Sequence, residues 1–515
     1  MNVSRERTVS LWMDIEVAPD VPALRDDQSC DVIVIGAGIA GLSAAYELSC
    51  RNKHVIVVDR GPIGGGMTAR TTAHLASVSD DSFDAFIKRR GVALATAFYQ
   101  SHAAAIDRIE QIQREEDIAC NFRRLDGFLF PAIGKDPGEL DAELDAGRRV
   151  GANVEDARGL PFKGQRRMRC IRYPGQATFH PLRYLRGLVK ALEGRNARLY
   201  AHSPVETVEE DGGRVVVRTP DGRCLRASAA VVATNSPIND RYAIHTKQAP
   251  YRSYAMAFTL ERGTLPDALY WDTLDPYHYV RLQSGPGQTD YLIVGGADHK
   301  TGEADDAPAR FEGLESWIRG LVPDLGRETH RWSGQVLEPI DFAGFIGRNP
   351  GSRNVYVATG DSGQGMTHGV VAGQVIADLI TQGASPWQEL YEPSRIPVAA
   401  AVDFIAENAT AVKNFAEYAA PGKIGSVDEL QPGQGAIVRD ALRKIAAYRG
   451  EDGVLYQCSA ACTHLGCHLH WNTLEVCWDC PCHGSHFAVD GSILNAPAIY
   501  PLAPAEAKSK SPESV

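Results

Sequence analysis

No apolar run in these 515 residues approaches the roughly 18–20 needed to cross a bilayer, which excludes a helical membrane span. Positive charge is in deficit. The formal net charge is −11, which argues against a nucleic-acid or anionic-membrane surface. Residues 1–8 lack an apolar h-region, so no secretory signal is expected and the cytoplasm is the default location. Motifs are missing too. No second glycine-rich βαβ fingerprint is present, which leaves no dedicated NAD(P)H domain, and no Asp-x-x-His-x4-His run is present to hold a mononuclear iron. Cysteine is sparse outside one stretch. Of the eleven, six lie between Cys458 and Cys482, the crowding of a local cluster site and not of a chain-wide disulfide framework.

What is there is ordinary globular material, 44% hydrophobic and 23% charged, and too long for a single core. Residues 31–35 are a short β-branched run with the composition of a buried parallel strand. Gly36, Gly38 and Gly41 follow, then a helical stretch, then a second apolar run ending at Asp59. This order is the dinucleotide fingerprint. Gly36 permits the tight turn, Gly38 lets the backbone approach a pyrophosphate, and Gly41 lets helix and strand lie close. The free N–H groups of the helix face the phosphates, and Asp59 can accept from a ribose hydroxyl. A second glycine loop, Gly360, Gly363 and Gly365 with Met366, follows the apolar strand 355–359 and opens a helix from Val370 to Ile380, again a place for negative charge.

From residue 31 to about 383 the order of motifs resembles the glycine oxidase, sarcosine oxidase and D-amino-acid oxidase superfamily. The resemblance implies FAD. The implied cofactor positions are Gly36, Gly38, Gly41, Asp59, Arg60, Thr68, Arg70, Thr71, Thr72, His74, Val205, Gly360, Gly363, Gly365 and Met366. The stretch 68–76 is similar to the segment of dimethylglycine and sarcosine dehydrogenases whose histidine is joined covalently to the flavin. His74 therefore has two states open to it, a covalent link or a place beside a non-covalent flavin. Ala73 stands where those enzymes tend to have tryptophan, and the non-covalent state is the expectation.

Residues 83–118 carry apolar residues at helical spacing and predict two amphipathic helices; 121–130 predict a strand whose Arg123 and Arg124 lie on a solvated face. Asp221 and Gly222 mark a hairpin. Residues 240–335 alternate apolar and polar, as a large antiparallel sheet does. In the resembling enzymes such a sheet walls the substrate pocket. Tyr254, Tyr277, Tyr279 and Arg281 are then candidates to line it, the arginine because its fork matches a carboxylate, and His180 is a candidate to face the flavin. Sheet-face packing for the aromatics, and capping for His180 beside Pro181, are the competing readings.

Near the C-terminus Cys462 and His464 form one box, and Cys480 and His483 a second, with fifteen residues between His464 and Cys480. This resembles the Rieske pattern, in which two thiolates hold one iron of a [2Fe–2S] cluster and two imidazoles the other. Zinc is the alternative for such donors. On the Rieske resemblance Cys467 and Cys482 are implied to bridge the two cluster loops. Ser485 matches a serine that donates to the cluster, and Phe487 departs from a tyrosine, which implies a potential below that of the bc-type proteins and above that of oxygenase ferredoxins.

The expected fold is an α/β FAD-binding Rossmann-like domain (31–80, 165–238, 336–384) with an interleaved α+β antiparallel-sheet substrate domain (81–164, 239–335). An N-terminal arm (1–30), a connector (385–425) with a helix at 401–419, an all-β Rieske domain (426–505) and a disordered tail (506–515) complete it. The expected function is oxidation of an amine or amino acid, with electrons passing from flavin through the cluster to an external acceptor. A reductase or monooxygenase component fed by the cluster, and a non-catalytic redox sensor, are the alternatives.

Overall fold

The computed structural model describes residues 5–239, 244–396, 414, 417, 424–440 and 443–505. The expected connector helix falls largely, and the expected tail entirely, outside the described residues.

The first sheet has six strands. Val32–Ile35 lies in the middle, with Val55–Val58 and Ala197–Tyr200 on one side and Ala229–Val232, Val355–Thr359 and Phe345–Arg348 on the other. All pairings are parallel except that of Phe345–Arg348. Parallel strands are covered on both faces, and the side chains divide accordingly. Val32, Val34, Val55 and Val57 pack toward the helices, whereas Ile33, Ile35, Ile56 and Val58 pack toward a smaller sheet that holds Val215, Val217 and Leu225. That sheet contains the expected hairpin, Arg214–Arg218 against Cys224–Ala227, with Gly222 at φ +84° in its turn.

The second sheet is large and mixed. Its order runs Glu328–Pro339, Gln248–Glu261, Thr289–Lys300, Tyr279–Ser284, Leu269–Asp272, Arg123–Phe130, Arg169–Thr178, His74–Leu75. The join of Leu269–Asp272 to Arg123–Phe130 is parallel. Residues 169–178 therefore belong to this sheet, although the expected boundary put 165 onward in the nucleotide domain. The two expected helices are Phe83–Arg90 and Val92–Glu115. Arg123 and Arg124 hold solvated ion pairs with Asp267 and with Asp107 and Glu110.

The C-terminal part is all β: a three-stranded sheet (Gly435–Asp440, Arg443–Arg449, Leu455–Ser459) and a four-stranded one (His470–Asn472, Cys477–Asp479, His486–Ala488, Ile493–Asn495). Trp478, Phe487, Leu469 and Cys458 fill its core. The N-terminal arm packs on the main body through Trp12, fully buried, whose indole N–H donates to the Thr71 carbonyl at 2.6 Å.

Candidate functional site

Two helix N-termini meet one cavity of about 320 Å³, lined by Gly36, Gly38 and Asp59 from one loop and Gly360, Gly363 and Gly365 from the other. The helices are Ile39–Cys50 and Gly365–Gln382, and neither is capped by its own N-cap side chain; the Ile39 N–H donates to the Thr68 hydroxyl at 3.0 Å, and both N-termini face the cavity through Gly38, Ile39, Gly365 and Met366, which line it. They cross closely because Gly369 and Gly373 offer no Cβ; one added there would press into Ile39 and Ser43. Gly41 is needed for packing: a Cβ would overlap the Gly36 carbonyl. A Cβ on Gly38 would meet only the Thr68 hydroxyl, so the space over Gly38 is open to a ligand. Asp59 accepts from the backbone N–H groups of Ala37 and Gly61, each at 2.8 Å, which fixes the turn while the carboxylate still lines the cavity. Arg60, Thr68, Thr71, Thr72, Val205 and Met366 line it too.

His74 lines the cavity with Nδ1 at 3.2 Å from the Thr72 hydroxyl, and its Nε2 is buried without a hydrogen-bond partner. Burial, with the Arg281 charge nearby, holds the imidazole down at about 3, so it stays neutral at physiological pH. Tyr279 stands edge-on to His74 with ring centroids 5.2 Å apart, and Gly295 leaves room for its ring. Tyr254, Tyr277 and Tyr279 all line the cavity, and Tyr277 donates to Asp80.

Two expectations change here. Arg281 does not line the cavity. Its guanidinium is fully buried beneath the His74 segment and donates to the carbonyls of Thr72, Ala73 and Phe179 and to Gln283. With those donors spent on backbone oxygens it holds the loop, not a substrate carboxylate. His180 caps the helix Pro181–Glu193 by accepting from the Arg183 N–H and packs on Trp12; it is not among the lining residues. Arg70 lines the cavity, but its donors go to Thr8, Ser333 and Glu475.

The two C-terminal boxes form matching loops. Gly466 N–H donates to the Cys462 carbonyl, and Gly484 N–H to the Cys480 carbonyl, at 2.8 and 3.0 Å, and both glycines sit at φ +77°. Cys467 and Cys482 are joined in a disulfide across the loops. The rings of His464 and His483 lie 4.9 Å apart, the thiols of Cys462 and Cys480 contact one another, and His483 Nδ1 is buried without a hydrogen-bond partner. Two thiols and two imidazoles brought to one place fit the donor set of a [2Fe–2S] cluster. The Ser485 hydroxyl accepts from the Ala498 N–H and also reaches Cys462.

These loops dock on the first two-thirds of the chain. Gln335 donates to the Gly484 carbonyl, and Asn495 donates to Gln335. His245 packs its ring against both His464 and His483, with centroids 4.9 and 5.5 Å away, while its Nε2 lies 3.1 Å from the Pro237 carbonyl. Leu494, Asn495 and Ala496 themselves line the cavity. Beneath the contact lies a buried charge network. Arg252 pairs with Asp479 at 3.0 Å, Arg70 with Glu475 and Glu6 at 3.2 and 3.4 Å, and Glu6 with His486 at 2.7 Å. Burial would raise Glu6, but Arg70, His486 and Arg252 outweigh it and hold the carboxyl down at about 2. None of Glu6, Arg252, His245 or Gln335 carries a motif, so nothing in the sequence marked them.

Residues 31–379 match the family described as FAD dependent oxidoreductase, and residues 421–506 match the Rieske [2Fe-2S] domain. The Rieske match favours iron–sulfur over zinc at the two boxes. A putative Rieske 2Fe-2S iron-sulfur protein, YhfW of Bacillus subtilis, is 29% identical over 506 residues, 97% of this chain and 98% of that one. Gamma-glutamylputrescine oxidoreductase of Escherichia coli is 26% identical over 69% of this chain and 85% of its own. Among solved structures, glycine oxidase from Geobacillus kaustophilus has a TM-score of 0.61 at 18% identity, covering 72% of this chain and 99% of that one.

Proposed function

The chain belongs to the FAD-dependent oxidoreductase family and carries a Rieske domain behind it; from this we propose that it oxidises an amine or amino acid and passes the electrons through the cluster to an external acceptor. The observation that carries the reading is the docking: cluster-domain residues 494–496 line the same cavity as the two glycine loops, and His245 of the flavin-binding part packs its ring against the rings of His464 and His483. When bound, FAD accepts two electrons by hydride transfer and the cluster accepts one at a time. The chain's share is positioning. Gly36, Gly38, Gly363 and Gly365 with the two helix N-termini hold the dinucleotide; Cys462, Cys480, His464 and His483 hold the cluster; Tyr254, Tyr277 and Tyr279 wall the substrate against water. Rapid mixing with amines in the absence of oxygen should bleach the flavin absorbance first and raise the reduced-cluster EPR signal afterward. Bleaching only by a reduced protein partner would favour the reverse direction of flow.

His74 is proposed to sit beside a non-covalent flavin. Acid precipitation should then release the yellow colour into solution. Its unpartnered Nε2 leaves the alternative chemically open, and colour that stays with the chain and vanishes in His74→Ala would establish the histidyl link.

A further inference from the structure

The part of this cavity around Tyr277 is acidic. Asp80, Asp298 and Asp361 line it. Asp81 and Glu338 stand directly behind, both bridged by the Ser362 hydroxyl at 3.3 and 2.8 Å. The nearby arginines are engaged elsewhere. Arg310 gives its hydrogen bonds to Asp306 and to the carbonyls of residues 297 and 298, Arg89 donates to the Ile340 carbonyl, and Arg281 lies outside the cavity. Among the polar atoms of lining residues without a hydrogen-bond partner are Asp298 Oδ1 and the hydroxyl of Ser79, which is only 5% exposed. Burial, reinforced by the neighbouring acids, raises Asp80 and Glu338 well above the usual carboxylate range, and burial lifts Asp298 and Asp361 to about 6. A substrate carboxylate would add one more acid to a cluster in which burial and mutual repulsion already disfavour ionisation. A cation would favour the ionised form of these carboxyls and receive charge-assisted bonds from them, Asp298 already lying within reach of the Arg310 charge and the strongest charges felt by Asp80 being those of neighbouring acids, and the tyrosine faces add cation–π attraction.

We propose that the substrate carries a second positive charge beyond its reacting amine, as linear diamines and polyamines do, and that Asp80 and Asp298 receive it. The proposal rests on the amine-oxidation reading above and narrows it: one ammonium stays anchored on carboxylates while the other nitrogen, freed of its proton, is presented for oxidation.

The test is calorimetric titration of the FAD-loaded full chain with diaminobutane, butylamine and aminobutanoate, run beside anaerobic flavin bleaching by the same three. Diaminobutane should bind about 10- to 100-fold tighter than butylamine, the worth of a hydrogen bond to a charged group, and aminobutanoate should bind weakest. Asp298→Asn and, separately, Asp80→Asn should each erase most of the preference for diaminobutane; flavin content reports that the variants are folded, and the comparison within the wild type needs no variant. Equal affinity for the three, tightest binding of aminobutanoate, or no binding of diaminobutane would overturn the proposal. Tight diaminobutane binding with no bleaching by any amine would leave the charge preference standing and remove the oxidation reading. Bleaching by amino acids without diaminobutane binding would do the opposite.

Discussion

In His483→Ala the Rieske EPR and optical signature should be absent while FAD stays bound. The imidazole is one of four donors converging from two loops, and its Nδ1 has no other partner; alanine leaves one iron short of a ligand. The domain around it should survive, because its core of Trp478, Phe487 and Leu469 and the disulfide between Cys467 and Cys482 do not include His483. Flavin bleaching by substrate should persist, since the cavity's glycine loops and tyrosines lie on the other body. Turnover with a one-electron acceptor should fall by about 10²-fold or more, because the tethered cluster's effective concentration is replaced by a bimolecular encounter. Cys462→Ser should behave alike. Flavin loss in these variants would mean that the two bodies do not fold independently. Unchanged turnover would put the cluster off the electron path and favour the sensor reading.

What the sequence disclosed were sites whose chemistry is written in consecutive residues. The loop from Gly36 to Gly41 is legible because each glycine answers a local demand, and the two Cys–His boxes because four ligands fall at fixed spacing. Sites assembled across the chain were not legible. Arg281 reads identically in a strand whether its fork meets a substrate or the carbonyls of Thr72 and Ala73. Asp80 and Asp298 become one acidic wall only after the mixed sheet brings residues 218 apart in sequence to the same cavity. The strand Arg169–Thr178 has the pattern of either sheet; its partner Arg123–Phe130 decides which one it joins. Glu6 looked like part of a polar arm, and its partner His486 lies 480 residues away.

That distant pair belongs to the network on which docking depends, and Arg252→Ala should undo it. Arg252 is 1% exposed, holds both oxygens of Asp479 at 3.0 and 3.1 Å, donates to Ser333 at 2.8 Å and lies 3.9 Å from Glu6. Removing it leaves Asp479 and Glu6, both buried, with a cation fewer, a change that costs about 3–5 kcal/mol for a buried pair. The connector still tethers the Rieske domain, so both cofactors should remain while the docked pose loses its advantage. Flavin bleaching by substrate should keep its rate, and arrival of electrons at the cluster should slow by at least about tenfold, as each 1.4 kcal/mol lost removes that factor from the docked population. Arg252→Met combined with Asp479→Leu, which removes both charges, should recover part of the loss. Acid should act on the same contact in the wild type. Glu6 has a folded value near 2, depressed from about 4.5; its contribution is complete above about 4.5 and is lost as the pH falls through 2. Docking, followed as cluster-reduction rate or as protection of the 472–486 strands from hydrogen exchange, should therefore weaken across that window in wild type and much less in Glu6→Gln. An unchanged cluster-reduction rate in Arg252→Ala would show that the cavity contacts of residues 494–496 hold the pose without the charges.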